Sequence, residues 1–133
     1  MKKRSAPLSC PCASGHTYEQ CCQRWHDGTQ LLQAPDAVSL MRSRYSAFVF
    51  DLRPYLLATW HPRTRPQTID PPDPELKWIG LQICSHQQQD DTHATVEFIA
   101  KYRIRGKAHR LHELSRFERI SGQWYYVDGE FQE

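Results

Sequence analysis

Ala94-Thr95-Val96-Glu97-Phe98-Ile99-Ala100-Lys101-Tyr102-Arg103-Ile104 is the cleanest alternation in the chain. Ala94, Val96, Phe98, Ala100, Tyr102 and Ile104 fall on one side of an extended segment, and Thr95, Glu97, Lys101 and Arg103 fall on the other. Successive side chains of a strand point to opposite faces, so this period of two predicts a strand with one buried face. Arg105-Gly106-Lys107 is a hairpin turn, and a second strand returns from about Ala108 to Ile120. Within it Leu111, Leu114 and Phe117 break strict alternation, which predicts a bulge or strong curl near Glu113 to Ser115. Ser121-Gly122 turns the chain into a last strand, Trp124 to Asp128. Upstream, Ile79, Leu81 and Ile83 alternate with Gly80, Gln82 and Cys84, and the polar run Gln87 to Asp91 turns that strand into Ala94.

Ahead of the strands the period changes. Val38, Met41, Tyr45, Phe48 and Leu52 recur at steps of three and four after Pro35-Asp36, the mark of one apolar stripe on a helix. Asp51 just before Pro54 ends that helix, and a shorter one with Tyr55, Leu56 and Leu57 runs to about Thr59. Five of the nine prolines then fall between Pro62 and Pro74, predicting a long stiff loop, a rim or a lid. Helices followed by antiparallel strands imply an α+β fold with the helices on one face of the sheet. A curled sheet around such a helix leaves a conical hollow. A chain of 133 residues supports one domain with a real core. The net charge of +2 gives little encouragement to nucleic-acid binding, and no apolar stretch is long enough to cross a bilayer.

The other decisive stretch is Cys10-Pro11-Cys12, followed after eight residues by Cys21-Cys22. Four thiolates close a tetrahedral shell around a soft or borderline cation, and zinc fits best, as a structural clip with no open position. Gly15 allows the reversal that lets the two pairs converge, and Pro11 narrows the first pair. Two disulfides, an iron–sulfur cluster and unliganded thiols are the alternatives. The odd total, with Cys84 as the fifth, and the lack of an apolar signal-length run after Met1-Lys2-Lys3-Arg4 favour a reduced, cytoplasmic setting. His26, four residues after Cys22, is either a rival fourth ligand or an exposed histidine. Cys84 is read as a small core residue or a stray thiol on a strand face.

Cys10-Pro-Cys-Ala-Ser-Gly-His-Thr-Tyr-Glu-Gln-Cys-Cys22 resembles the SEC-C motif, C-P-C-G-S-G-x-x-Y-x-x-C-[CH], departing from it only at Ala13. The resemblance makes Cys10, Cys12, Cys21 and Cys22 the zinc ligands and Tyr18 the packing residue of the knuckle. Leu40-Met-Arg-Ser-Arg-Tyr-Ser-Ala-Phe48, Thr59-Trp-His-Pro62, Ser115-Arg-Phe117 and Gly122-Gln-Trp-Tyr-Tyr-Val-Asp-Gly129 are similar to the YchJ family of bacterial proteins. That resemblance implies a SEC-C knuckle and connector over residues 1–33 and a nuclear transport factor 2-like cone over 34–133. Many members carry a second knuckle after the cone, and the sequence to Glu133 shows none, so a role needing two is not expected.

Tyr45, Phe48, Tyr55 and Trp60 from the helices are expected to line the cone, with Trp78, Phe98, Tyr102, Phe117 and Tyr126 from the strands; for most of these a plain core role is the simpler expectation. Arg42 with Glu113, or Arg44 with Asp128, is expected to form an ion pair between helix and sheet, a reading favoured over a ligand clamp. His86, His93, His109 and His112 fall on or beside strands, and most of them are expected to be solvated. The leading functional expectation is a zinc-stabilised binding or adaptor protein. Its knuckle would meet a protein partner through Lys2, Lys3, Arg4, His16, Tyr18, Arg24 and Trp25, and its cone would take a small ligand or second partner. The alternative is an isomerase- or hydratase-like enzyme with Glu113 or His61 as base and Tyr45 or Tyr55 as oxyanion donor. A homodimer through the open sheet face is expected by analogy only.

Overall fold

The computed structural model describes residues 8–132; Lys2, Lys3 and Arg4 lie outside them. Asp36 opens the main helix, α2 (Ala37–Val49), by accepting from the backbone N–H of Ser39 at 2.7 Å, after a one-turn helix α1 (Gln23–His26) that belongs to the knuckle. Asp51 takes a positive φ of 55° and Pro54 sits in the first turn of α3 (Arg53–Ala58), the break that the sequence predicts. Four strands follow, β1 (Leu76–Gln88), β2 (His93–Ile104), β3 (Lys107–Ile120) and β4 (Gln123–Phe131), in one antiparallel sheet of order β1-β2-β3-β4. This is the α+β arrangement, with helices packed on the inner face of a curved sheet. Among the described residues no helix is long and apolar enough to cross a membrane.

Helix α2 is more deeply buried than a single stripe predicts. Met41 and Tyr45 are buried, with Tyr45 edge-on to Trp78 of β1, yet Leu40, Ser43, Ser46 and Ala47, off that stripe, are buried as well. Small residues there let the knuckle and α3 approach the helix, so α2 is covered on two sides. Phe48, at the end of the stripe, is 40% exposed.

Two bulges set the phase of β1. Trp78 pairs with Tyr102 and Gly80 with Lys101, so Ile79 is an extra residue and is turned outward, 46% exposed, while Trp78 turns in. Ile83 pairs with Phe98 and Ser85 with Glu97, which makes Cys84 the second extra residue. The bulge expected in β3 is absent there. Leu111, Glu113, Ser115 and Phe117 pair with Ala100, Phe98, Val96 and Ala94 without interruption, so the inner face of β3 carries two polar side chains, and Leu114 lies on the outer face. The irregularity comes later and on the partner strand, where Arg116 pairs with Asp128, Phe117 with Tyr126, and Val127 is extra. After α3 the chain joins β4: His61 N–H donates to the Tyr126 carbonyl at 2.7 Å, and Tyr126 N–H to the Thr59 carbonyl at 2.8 Å. That bridge fixes Trp60 over the inner face.

Candidate metal centre and cone cavity

The two cysteine pairs converge. Cys10, Cys12, Cys21 and Cys22 are all buried, are not joined by disulfides, and their sulfurs all lie within 4.8 Å of one another. Sγ of Cys12 is 3.6 Å from Sγ of Cys21, which is 4.0 Å from Sγ of Cys22. Four sulfurs ~2.3 Å from one ion stand about 3.7 Å apart in a tetrahedron, so the set fits a metal as it stands. The thiols also press on one another. Hydrogen bonding from Cys12 lowers the pKa of Cys10, bonding to Cys10 raises that of Cys22, and burial raises that of Cys21. A cation removes this conflict by letting every sulfur ionise. Ser14 Oγ, 3.1 Å from Cys21 Sγ, and Ser46 Oγ, 3.5 Å from Cys10 Sγ, are hydroxyls in position to orient two of the sulfurs.

Local backbone explains the motif. Ala13 has a φ of 64°, in the left-handed region where a Cβ costs about 1 kcal/mol, which accounts for the glycine the SEC-C pattern has there. Tyr18 stands edge-on to Phe50 with centroids 4.8 Å apart. The knuckle is bound to α2 by Arg42, whose Nη1 donates to the Cys12 carbonyl at 2.6 Å, and by His26. His26 is neither a ligand nor an exposed histidine. Its Nε2 donates to the Ser43 carbonyl at 2.8 Å, so its Nδ1 is bare and accepts from the Tyr18 hydroxyl at 2.6 Å.

Burial lowers the pKa of His26 below its ordinary 6.5. Below that pH the unfolded chain takes a proton that the folded one refuses, so stability falls as pH drops through 6.5 and is unaffected above it. A titration followed by NMR should show the His26 ring still neutral at pH 6.5; a midpoint at or above that value would contradict the burial argument.

Between α2 and the sheet lies a cavity of about 260 Å³. Tyr45, Phe48, Trp60, Trp78, Phe98 and Tyr126 form its aromatic walls, and its polar lining is Arg44, Glu113 and Ser115. Three of the expected wall residues are elsewhere. Tyr55 lies on the knuckle side of α2, its hydroxyl 2.7 Å from Ser43 Oγ. Tyr102 stacks on His109 at 5.3 Å, and Phe117 is solid core at 1% exposure. Of the four acid–base candidates, only Glu113 and Tyr45 reach the cavity. His61 is held outside it, its Nε2 2.9 Å from Glu118 Oε1 while Nδ1 accepts from the Arg63 N–H.

Neither expected ion pair forms. Arg42 is spent on the knuckle, Asp128 pairs with Arg116 at 2.6 Å, and Glu113 accepts from the Ser115 hydroxyl. Arg44 is 3% exposed, and its Nη1 donates to the Leu56 carbonyl at 2.8 Å and to Thr59 Oγ1 at 2.7 Å. Among the described residues Nη1 is the only nitrogen of that guanidinium with an acceptor, and no carboxylate is in ion-pair contact with it. Its charge lies instead 4.6 Å from the Tyr126 ring and 5.2 Å from that of Trp60, and burial lowers its pKa to about 10. Among the described residues the indole Nε1 of Trp60 is buried with no acceptor.

Residues 9–24 match the model of the SEC-C motif, and residues 36–129 match that of the YchJ middle NTF2-like domain. The chain belongs to the YchJ-like family. It is 60% identical to a UPF0225 protein of Bordetella bronchiseptica, over 99% of this chain and 100% of that one. A UPF0225 protein of Methylibium petroleiphilum is 55% identical over 96% of this chain and 91% of its own length. Two solved structures share the fold of this YchJ-like chain. One is the solution structure of a SEC-C motif containing protein from Rhodopseudomonas palustris, with a TM-score of 0.81 and 30% identity over 95% of this chain and 100% of that one. The other is the crystal structure of a SEC-C motif containing protein from Psychrobacter arcticus, with a TM-score of 0.74 and 31% identity over 93% of this chain and 82% of that one.

The sequence favours Arg44 as an ion-pair partner over a ligand clamp; the structure forms no such pair and places the residue in the cavity lining. The available signal was a lone charged residue in an otherwise uncharged helix segment, Ser43-Arg44-Tyr45-Ser46-Ala47.

Proposed function

We propose that this chain is a cytoplasmic, zinc-stabilised binding protein whose cone takes up a small, largely apolar ligand bearing a carboxylate or a similar hydrogen-bond acceptor. Zinc is favoured by the all-thiolate donor set, which closes a tetrahedron and leaves no position for catalysis. The observation that carries the ligand proposal is Arg44. A buried cation is costly unless paired, and this one borders an aromatic cavity with donors unused. The buried indole N–H of Trp60 adds to the surplus of donors. A ligand acceptor supplies what the protein's own carboxylates do not.

A protein partner at the knuckle belongs to the same proposal, but with a narrower surface. Trp25 is buried beneath the Arg24 guanidinium, 4.4 Å above its ring, and Tyr18 is half-buried, so His16 and Arg24 remain to meet it.

Trp60 and Trp78 in the cavity wall are the reporters. Titrating the metal-loaded chain with 1-naphthoate should quench tryptophan fluorescence saturably, and Ala100→Leu, which fills the cavity from β2, should abolish the quench while leaving the circular dichroism unchanged. No saturable change with naphthoate, or equal quenching in the filled variant, would refute the cone as a binding site. Mass spectrometry of the natively purified chain then identifies what it carries.

A further inference from the structure

On the outer face of the sheet, away from the helices and the knuckle, three donors of different chemistry come together. The bulge at Cys84 brings its thiol beside Glu97 of β2 and His112 of β3, and one donor atom from each lies within 4.8 Å of the other two. His112 Nε2 is 2.7 Å from Glu97 Oε2, while the other carboxylate oxygen, Oε1, accepts from the Ser85 hydroxyl at 3.1 Å. The set is therefore partly organised. Ser85 holds one oxygen of the carboxylate, and the second, bonded to His112 Nε2, turns to the ion when the proton between the two leaves. Cys84 is exposed and His112 and Glu97 are half-buried, so an ion can reach all three.

We infer that Cys84, Glu97 and His112 form a second zinc site, independent of the knuckle. A thiolate, an imidazole and a carboxylate are borderline donors of the kind zinc takes, and with two negative charges they neutralise a divalent ion. A tetrahedral zinc holds nitrogen and oxygen ligands roughly 3.4 Å apart, so the hydrogen-bonded Glu97–His112 pair needs only to open slightly. Three protein ligands leave the fourth position to water or to a donor from outside. The tetrathiolate knuckle is closed, and this site is open. The bulge is what makes it possible: in a regular strand Cys84 would take the inward or outward phase of its neighbours, whereas as an extra residue it sits between two ladder pairs.

The test uses the full chain with its knuckle metal in place. Iodoacetamide alkylation of Cys84 is followed by peptide mass spectrometry, which separates it from the knuckle cysteines, at increasing zinc chloride. Zinc should protect Cys84 saturably in the wild type, and protection should vanish in His112→Ala. Ser85→Ala should weaken protection about tenfold, the usual effect of removing a group that orients a ligand. Elemental analysis should show an equivalent of zinc beyond the knuckle's, lost in Cys84→Ser. Alkylation at the same rate with and without zinc would overturn the site, and so would protection that survives His112→Ala, since the thiol alone would then be binding the ion. All three substitutions involve exposed or half-buried side chains, so folding should survive them.

Discussion

Stripping the metal from the knuckle should destabilise the whole chain, and should do more than loosen its first 33 residues. Cys12 and Cys22 are 0% and 1% exposed, and the surface that buries them is α2 itself, through Ser46, the Arg42 bond to the Cys12 carbonyl and the His26 bond to Ser43. Without the ion, four thiols crowd one point with few apolar neighbours to hold them, and the knuckle has little reason to stay closed. Opening it exposes Trp25 and uncovers the knuckle side of α2 around Ser43 and Ser46. Apparent binding free energies of structural zinc sites are about 10–16 kcal/mol, of which chelation removes a share set by free metal concentration. Each kcal/mol lost shifts the midpoint of a domain this size by a few degrees, so a fall on the order of 10 °C or more is expected in excess chelator. A thermal melt followed by tryptophan fluorescence checks it, with a red shift from Trp25 before the main transition as the local sign. Cys12→Ser should reproduce the fall without chelator. An unchanged midpoint in both experiments would mean that the sulfurs hold no ion that matters to the fold.

The parts that sequence made legible are those governed by a simple period or by unusual chemistry. The β2 alternation from Ala94 to Ile104 places the sheet, because one face is buried from Ala94 to Ala100 and half-buried beyond, and no bulge interrupts its own numbering. The cysteines announce themselves by type and spacing, and the structure brings them together. Legibility fails where one residue is inserted. Ile79 reads as an inward residue in a strand of period two, yet the bulge turns it outward and sends Trp78 into the cavity. A single extra residue inverts every assignment on one side of it, and hydrophobicity carries no mark of where that happens. Leu114 misleads in the opposite sense. Its apolar side chain suggests a break in β3, when the strand is regular and the anomaly is two polar residues, Glu113 and Ser115, facing inward. The second buried side of α2 was also hidden, since Ser43, Ser46 and Ala47 look polar or neutral and are buried because they are small enough to admit the knuckle and α3.

Arg44→Met should separate what this arginine does for the fold from what it does for binding. In the fold, its Nη1 ties the Leu56 carbonyl and Thr59 Oγ1, at the end of α3, to the middle of α2. Charge-assisted bonds of this kind contribute about 1.5–3 kcal/mol each, and the cost of keeping an unpaired cation buried offsets part of that. Methionine fills similar volume without the charge, so a net loss of about 2–4 kcal/mol is expected, leaving the Leu56 carbonyl short of its donor. Arg44→Lys should not restore the wild type, because an ammonium group cannot both reach two acceptors and lie flat on Tyr126 and Trp60. In binding, the guanidinium nitrogens without acceptors are the expected recognition groups. The wild type should prefer 1-naphthoate over the neutral 1-naphthamide by about 10- to 100-fold, the equivalent of one charge-assisted bond. In Arg44→Met that preference should disappear while the apolar contribution, common to both probes, persists. Fluorescence titrations of the two probes against the two proteins, below the melting range of the variant, measure the difference. If the methionine variant still favours the carboxylate, Arg44 is only a tie between helices and the cone selects its ligand by shape.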